Sequence, residues 1–570
     1  MKYTFSIENS NSHLLSIQLV IDKVESDQLT VQLPSWRPGR YELANFAKNI
    51  QKLKVYGKEM QELTFAKLSK DSWKIETGET DEVYIEYNYY ASELNAGSTW
   101  LDNKQMYVNP VNCCLFVPDR MDELCEIEVD VPYPYEVATG MNKTGNLTFT
   151  VVDFHELADS PFIASPTLQH EEYEVDDVKF HIWFQGEIRP NWAKIQLDFE
   201  QFTSKQIVAF GDFPVKEYHF LFQITPYRSY HGVEHKTSTV CLIGPGYDVM
   251  GKRYIDFLGV SSHELYHVWN VKTIRPREML PYDYTRENYS RLGYVYEGVT
   301  TYMGDKFLFS STVIDEEQYF KELQTYMERH IHNGGRFNLS VADSSYDTWL
   351  DGYQSGVPDR KTSIYAEGCL FSFILDVALI SSPNSTGGLD DVLRRMYVEL
   401  ASKDVGYSQE DYIRISSEVA GRDISELFES LVETPVDYGE ALMNAFEQIG
   451  LEFSIVDDRS WVRKFGLKGT YSNGKYKVAD VAFESDAYNS NVIRGDQIVS
   501  VNGYTIDESL DNWLAYFGKE KQELGVVRDG KYRGIIADPE FTNGFQKCKI
   551  KHIENVTESQ KQNFEKWLNK

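Results

Sequence analysis

Apolar residues recur at every second position in several stretches of the N-terminal third: LLSIQLVID (14–22), DQLTVQL (27–33), EVYIEYNYY (82–90), CEIEVDV (125–131) and LTFTVVDF (147–154). Polar or Pro/Gly punctuation separates them. A period of two marks half-buried strands, so the pattern predicts an antiparallel β domain to about residue 168. Strands continue over about 175–245, with one helix near WAKIQLDFEQF (192–202). After GYDVMGKRY (246–254) the period lengthens to that of helices. These are expected over 252–271, 289–310, 315–333, 363–382, 388–402, 408–420 and 437–449. SQEDYIRISSEVAG shows the punctuation well, with Ser408 as N-cap, Glu410 and Asp411 in the first turn, and Gly421 at the end. Beyond about 452 strands return in KYKVADVAF (475–483) and QIVSVNGY (497–504). The tail ESQKQNFEKWLNK reads as a short surface helix.

A chain of 570 residues is too long for one core, and at roughly 150 residues per domain it divides into three or four. Hydrophobic content of 42% and 38 tyrosines leave no case for disorder. The formal net charge of −30 excludes nucleic acid as a natural partner, because its phosphates would be repelled. The longest apolar run, GCLFSFILDVALI, contains Asp376 and falls well short of the ~20 residues that span a bilayer. MKYTFSIENS has no basic segment leading into an apolar one, so no signal peptide is visible. The six cysteines (113, 114, 125, 241, 369 and 548) have no framework spacing and read as reduced, mostly buried thiols. The expected compartment is the cytoplasm, or the periplasm if an export signal has been trimmed.

Against this background SSHELYHVWNV (261–271) stands out. On a helix, positions i and i+4 share a face, so His263 and His267 can offer two imidazole nitrogens to one Zn²⁺. Glu264 can then reach a water at the metal without being a ligand. Such a short motif also arises by chance, so the remaining parts of a zinc hydrolase must be found elsewhere. YVYEGVTTY offers Glu297 as third ligand, in a predicted helix within an aromatic stretch where an unpaired carboxylate is costly. Gly298, Thr300 and Thr301 after it are small enough to let that helix approach a neighbour. Two histidines and a glutamate form a known catalytic zinc set that leaves a fourth position open. Asn270 and Trp269 read as support or packing rather than as ligands.

The segment HELYHVWNVKTIRPREMLPYDYTRENYSRLGYVYEGVTTYMGD (263–305) resembles the glycyl aminopeptidase family, gluzincin metallopeptidases with a C-terminal PDZ domain. The family pattern H-E-x-x-H-x-W-N, R-P, E-N-Y and E-G-x-T-x-Y is present in order. LPSWRPGRYELANFAKNI (33–50) is similar to the family's N-terminal β domain, and IRGDQIVSVNGYTID (493–507) to a PDZ core. The resemblance therefore covers nearly the whole chain. It implies an α+β multidomain protein with four parts: an N-terminal antiparallel β domain (1–170), a thermolysin-like, mainly helical zinc peptidase domain (171–453), a PDZ domain (454–555) and a C-terminal helix (556–570).

Two more site positions come from the resemblance alone. TSIYAEGCLF places Tyr365 where the family has a tyrosine that stabilises the tetrahedral intermediate, although Glu367 stands where lysine is usual. SYHGVEHKTST keeps Gly232, Glu234 and His235 of a G-G-L-E-H segment, with His231 for its first glycine. By the same likeness Glu234 binds the substrate's α-ammonium. The implied function is removal of an N-terminal residue, Gly or Ala, from peptides by a metal-activated water. In it Zn²⁺ sits on His263, His267 and Glu297, Glu264 acts as base and Tyr365 as oxyanion donor. Two other classes stay open: a zinc endopeptidase with the same chemistry but no amine anchor, and a non-catalytic peptide-binding scaffold. The partners expected are peptides with a free N-terminus, and a peptide ligand added as a strand to the PDZ domain.

Overall fold

The computed structural model describes residues 1–351 and 356–568. The protein is a mixed α+β multidomain chain with an N-terminal β-sheet domain and a largely helical catalytic domain.

The alternating stretches become strands close to where the pattern puts them, Leu14–Asp22 and Glu82–Tyr90 among them. Leu15, Ile17, Leu19 and Ile21 are all fully buried, as a period of two requires of one sheet face. These strands lie in a seven-stranded sheet, beside smaller sheets of three and four strands. The expectation of an antiparallel domain needs one correction: Lys2–Asn9 pairs in parallel with Cys125–Asp130. A parallel partner is reached only through a long crossover, here more than a hundred residues of chain, and leaves no local signal.

The catalytic domain opens with a five-stranded sheet. Its spatial order is Gln169–Val175, Val178–Gln185, Glu217–Ile224, Ser238–Gly244 and Ser229–Glu234, so the last of these is an edge strand. The helix Trp192–Phe210 forms the crossover between parallel strands. It and the helix Tyr254–Tyr266 (the histidine helix) cover one face through aromatic contacts, including Phe199–Phe220 at 5.0 Å and Phe222–Phe257 at 4.8 Å. The other face meets the N-terminal domain, where Tyr107 and Ile163 pack with Leu221, Val233 and Val240.

The helices that follow appear where the period predicts them, and Ser408 and Gly421 cap theirs as the sequence signals. Two expected helices differ in detail. The first, 252–271, ends at Tyr266, because the next turn tightens through Val268 N–H to Leu265 O and Trp269 N–H to Tyr266 O. The second, 289–310, breaks at Glu297 into Gly293–Tyr296 and Gly298–Ser310. Short helices at Val341–Tyr346, Ser425–Leu431 and Leu510–Phe517 were not legible, being too brief to show a period.

The C-terminal residues build a sheet with its own core around Phe465, Ile498, Leu510 and Leu524. A strand pair, Leu451–Val456 with Lys547–His552, ties this unit to the helix Glu316–Ile331, with Ile550 N–H donating to Gln324 at 2.7 Å. The terminal helix Glu558–Trp567 is not merely a surface element. Trp567 is fully buried and its indole N–H donates to the Tyr302 hydroxyl at 2.7 Å. That hydroxyl donates in turn to Asp376, which also pairs with the buried Lys306 at 2.7 Å. All six cysteines are free and buried. Among the described residues no helix is long and apolar enough to cross a membrane.

Candidate active site

Four helices and one edge strand meet around a cleft of about 690 Å³. Their approach is set by glycine. A Cβ on Gly298 would lie 2.3 Å from the Gly368 Cα, so the helices Gly298–Ser310 and Ile364–Ile380 touch backbone to backbone. A Cβ on Gly304 would come 3.0 Å from the His263 Cα, which brings the same helix against the histidine helix. Ser262 reinforces that contact: its hydroxyl donates to Gly304 O at 2.7 Å and accepts from Gln206 at 2.9 Å.

The predicted donors converge. His263 Nε2 and His267 Nε2 are 3.1 Å apart, and the nearest Glu297 oxygen lies 3.9 Å and 3.5 Å from them respectively. Glu297 occupies the break between its two helices rather than a helical interior. His267 is oriented from behind, since its Nδ1–H donates to Asn270 O at 2.7 Å. Asn270 is itself held by its amide, which donates to Val295 O and to the Thr300 hydroxyl. Trp269 stacks on Phe210 at 4.5 Å and stays outside the cleft chemistry.

Glu234 and Glu264 join this group, with carboxylate oxygens within 4.8 Å of each other and of a His267 nitrogen. The edge strand explains the placement. Its period of two turns Val233 into the interdomain core, leaving Gly232 and Glu234 on the cleft side. The Tyr365 hydroxyl hydrogen-bonds Glu297. Glu367 points elsewhere: it is buried and accepts from His330 Nδ1 at 2.6 Å, while His330 Nε2 accepts from Tyr438 N–H. The carboxylate that stands where the resemblance expects lysine is therefore hydrogen-bonded to His330 rather than to Tyr365.

Electrostatics describe a site built for a cation. Burial pushes the Glu264 carboxyl well above its usual range, with Glu234 and Glu297 adding to the shift, and burial also raises Glu297. Burial would lower the His267 imidazolium, but the Glu297 hydrogen bond and the charges of Glu234, Glu297 and Glu264 outweigh it and hold it up at about 9. Burial and the neighbouring His267 push His263 well down. Among the described residues, Glu234 Oε1 and Glu264 Oε2 are buried without a hydrogen-bond partner. Unpaired buried carboxylates are costly unless a positive charge is supplied. The 3.1 Å between the ring nitrogens is close to the edge, ~3.3 Å, of a tetrahedron with ligand distances of about 2.0–2.1 Å. The donor set thus fits a zinc-sized ion.

Sequence reasoning missed what the N-terminal domain contributes. Its loop at Ser35–Arg40 is wedged into the catalytic domain, with Ser35 N–H donating to Tyr284 O and the Trp36 indole to Asp283 O, both at 2.8 Å. This brings Gly39, at a φ of +76°, so close to Glu234 that a Cβ would lie 2.6 Å from its Oε2. Asp159 clamps the far end of the edge strand, 3.0 Å from His235 Nδ1 and 2.7 Å from the buried Lys272 ammonium. No local pattern could have announced either contact; a Trp and a Gly inside a polar loop were the one available hint.

The model of the Peptidase M61 N-terminal domain matches residues 2–166, and that of M61 glycyl aminopeptidase matches residues 256–371, which hold the histidine helix, Glu297 and Tyr365. The chain thus carries the two domains that the M61 glycyl aminopeptidase family models describe. Members of that family are peptidases, and the fold agrees. A solved aminopeptidase N family protein from Idiomarina loihiensis is 25% identical and superimposes with a TM-score of 0.91, over 100% of this chain and 99% of that one. The likeness to an M1 zinc metallopeptidase from Deinococcus radiodurans is remote, at 13% identity and a TM-score of 0.46 over 76% of this chain and 93% of that one. No curated protein matches the sequence.

Proposed function

We propose that this M61 protein is a zinc-dependent aminopeptidase that removes a small N-terminal residue, Gly or Ala, from peptides. The observation that carries the reading is the buried Glu234 carboxylate, whose Oε1 has no hydrogen-bond partner among the described residues, beside the His263, His267 and Glu297 donors. An endopeptidase has no use for such a charge, whereas a free α-ammonium satisfies it through a charge-assisted hydrogen bond. The preference for small residues rests on the family description and on the crowding of Gly39 and Gly232 against the carboxylates.

His263, His267 and Glu297 would hold the ion. When bound, zinc polarises the scissile carbonyl and acidifies water. Glu264, whose carboxyl burial makes more basic, accepts a proton from the attacking water at its carboxylate and passes it to the departing amine. The Tyr365 hydroxyl donates to the oxyanion as it develops. Glu234 fixes the N-terminus, and the unpaired side of the edge strand Ser229–Glu234 offers backbone groups to the peptide. We read the C-terminal unit, residues 454–555, as a PDZ module, supported by its separate core and the Gly495–Asp496 turn between strands. A cytoplasmic setting is supported by six free, buried thiols.

The test is metal content against activity. Purified protein should hold zinc in the cleft, lose both zinc and hydrolysis of Ala-peptides on chelation or in His263→Ala, and recover when zinc is restored to the wild type. Undiminished hydrolysis by metal-free protein would refute the reading.

A further inference from the structure

A second group of histidines gathers outside the cleft, on the five-stranded sheet. Register explains how. Glu172 lies directly opposite His181 on the neighbouring strand, His181 lies opposite His219 on the next, and His170 is two residues along from Glu172. The period of two keeps these side chains on one face, while Phe180 and Ile182 are fully buried on the other.

The distances resemble those of the cleft. His170 Nε2 is 3.0 Å from His181 Nδ1, and that nitrogen is 3.7 Å from Glu172 Oε2. In the cleft the matching separations are 3.1 Å between ring nitrogens and 3.5 Å from His267 to Glu297. Two imidazoles and a carboxylate thus recur at nearly the same spacing, with all three ligand atoms within 4.8 Å of one another. His181, Glu217 and His219 meet the same limit, so His181 is common to two such trios.

The rings are held in place. His170 stacks on Trp183 at 3.8 Å and His181 on His219 at 4.3 Å, while the Trp183 indole donates to His219 Nδ1 at 3.2 Å. His181 Nε2 is buried with no hydrogen-bond partner among the described residues. Glu172 is otherwise engaged by Lys179 at 3.5 Å, an exposed ion pair of little net worth that an incoming ion can displace.

The geometry points to a second metal site, formed by His170, Glu172 and His181, that takes a divalent late transition ion of the Cu²⁺ or Zn²⁺ class. Imidazole nitrogen with one carboxylate suits these ions, and hard cations such as Mg²⁺ or Ca²⁺ prefer all-oxygen sets. An ion there bridges the strand Gln169–Val175, at the sheet edge, to its neighbour Val178–Gln185. The site shares no residue with the peptidase cleft, so it stands or falls separately from the activity.

The test titrates the full chain with Cu²⁺, counting bound copper after dialysis and recording its electron paramagnetic resonance. A His263→Ala, His267→Ala double variant removes the cleft ligands from the count. It should still bind one ion, with a spectrum showing imidazole nitrogen coupling. Adding His170→Ala, an exposed substitution that circular dichroism can show to leave the fold intact, should abolish that ion, and Glu172→Gln should weaken it at least tenfold. In the zinc-loaded chain with its cleft intact, His170→Ala should leave peptide hydrolysis unchanged. No bound ion in the double variant, or an ion count and spectrum that His170→Ala does not alter, would overturn the assignment.

Discussion

A Cβ placed on Gly232 would sit 2.0 Å from Oε1 of Glu264, so the edge strand and the histidine helix meet with no room for a side chain between them. The nearest atoms all belong to the end of the Glu264 side chain, which can swing aside without moving backbone. Gly232→Ala should therefore leave thermal stability close to wild type but displace the carboxylate from the cleft. Turnover should fall by up to the worth of a general base, about 10²–10⁴. A melting curve beside a kcat measurement checks both halves. An active Gly232→Ala protein would show that Glu264 works from another position.

Removing the carboxylate's charge without its bulk isolates the same step. Glu264→Gln should keep the fold and the bound zinc while losing at least about 10²–10⁴ in kcat. Tyr365→Phe should lower kcat with KM little changed, by about 2.7–4 kcal/mol, since an oxyanion donor acts mainly in the transition state. A loss confined to KM would instead make Tyr365 a binding residue.

Gly298 and Gly368 pose the opposite case, because the atoms a Cβ would strike are backbone. Gly298→Ala must push two buried helices apart. Overpacking of this kind costs about 1–3 kcal/mol, and the movement carries Glu297 with it. Urea unfolding should show the lower stability, and elemental analysis weaker zinc retention. Wild-type values in both would mean that the helices have slack there.

The Asp159 clamp gives a pH-dependent prediction. Burial alone would raise this carboxyl, but the Lys272 ammonium and the His235 hydrogen bond hold it well below the usual carboxylate range. A carboxyl lowered in the folded state stabilises above its unfolded pKa of ~3.9, and that contribution fades as pH falls towards the folded value. Asp159→Asn should cost about 3–5 kcal/mol near neutral pH, as for a buried pair that loses one partner. The gap in unfolding free energy between variant and wild type should hold from pH 7 to about 5 and narrow below ~4. A gap that stays constant down to pH 3 would show that the pairing does not depend on the charge of Asp159.

His263, Glu264 and His267 could be read from the sequence because four residues of helix bring them together, and Glu297 because a carboxylate among tyrosines demands a partner. That Glu297 sits at a helix break could not be read, since no local pattern marks the break, and the close contact of Gly298 with Gly368 lies on a helix distant in sequence. The strand pattern located Leu14–Asp22 to the residue yet said nothing of the parallel pairing between Lys2–Asn9 and Cys125–Asp130. Gly39 reaches the cleft, and Asp159 the far end of its edge strand, across the domain boundary, and such contacts have no periodicity to detect. In the terminal helix Trp567 was the clue passed over: a mostly polar tail with a single large indole is anchored by it.

The aminopeptidase reading depends on Glu234 meeting a free α-ammonium, and this can be measured directly. Zinc-loaded protein is given Gly- and Ala-peptides with free and with N-acetylated termini, and products are followed by mass. The wild type should release single residues from free N-termini and leave acetylated peptides nearly untouched. Glu234→Ala should lose about 2–4 kcal/mol in kcat/KM on free peptides, with zinc content unchanged and much less discrimination against the acetyl group. Cleavage of acetylated or internal bonds by the wild type as fast as free N-termini would contradict it and make the protein an endopeptidase.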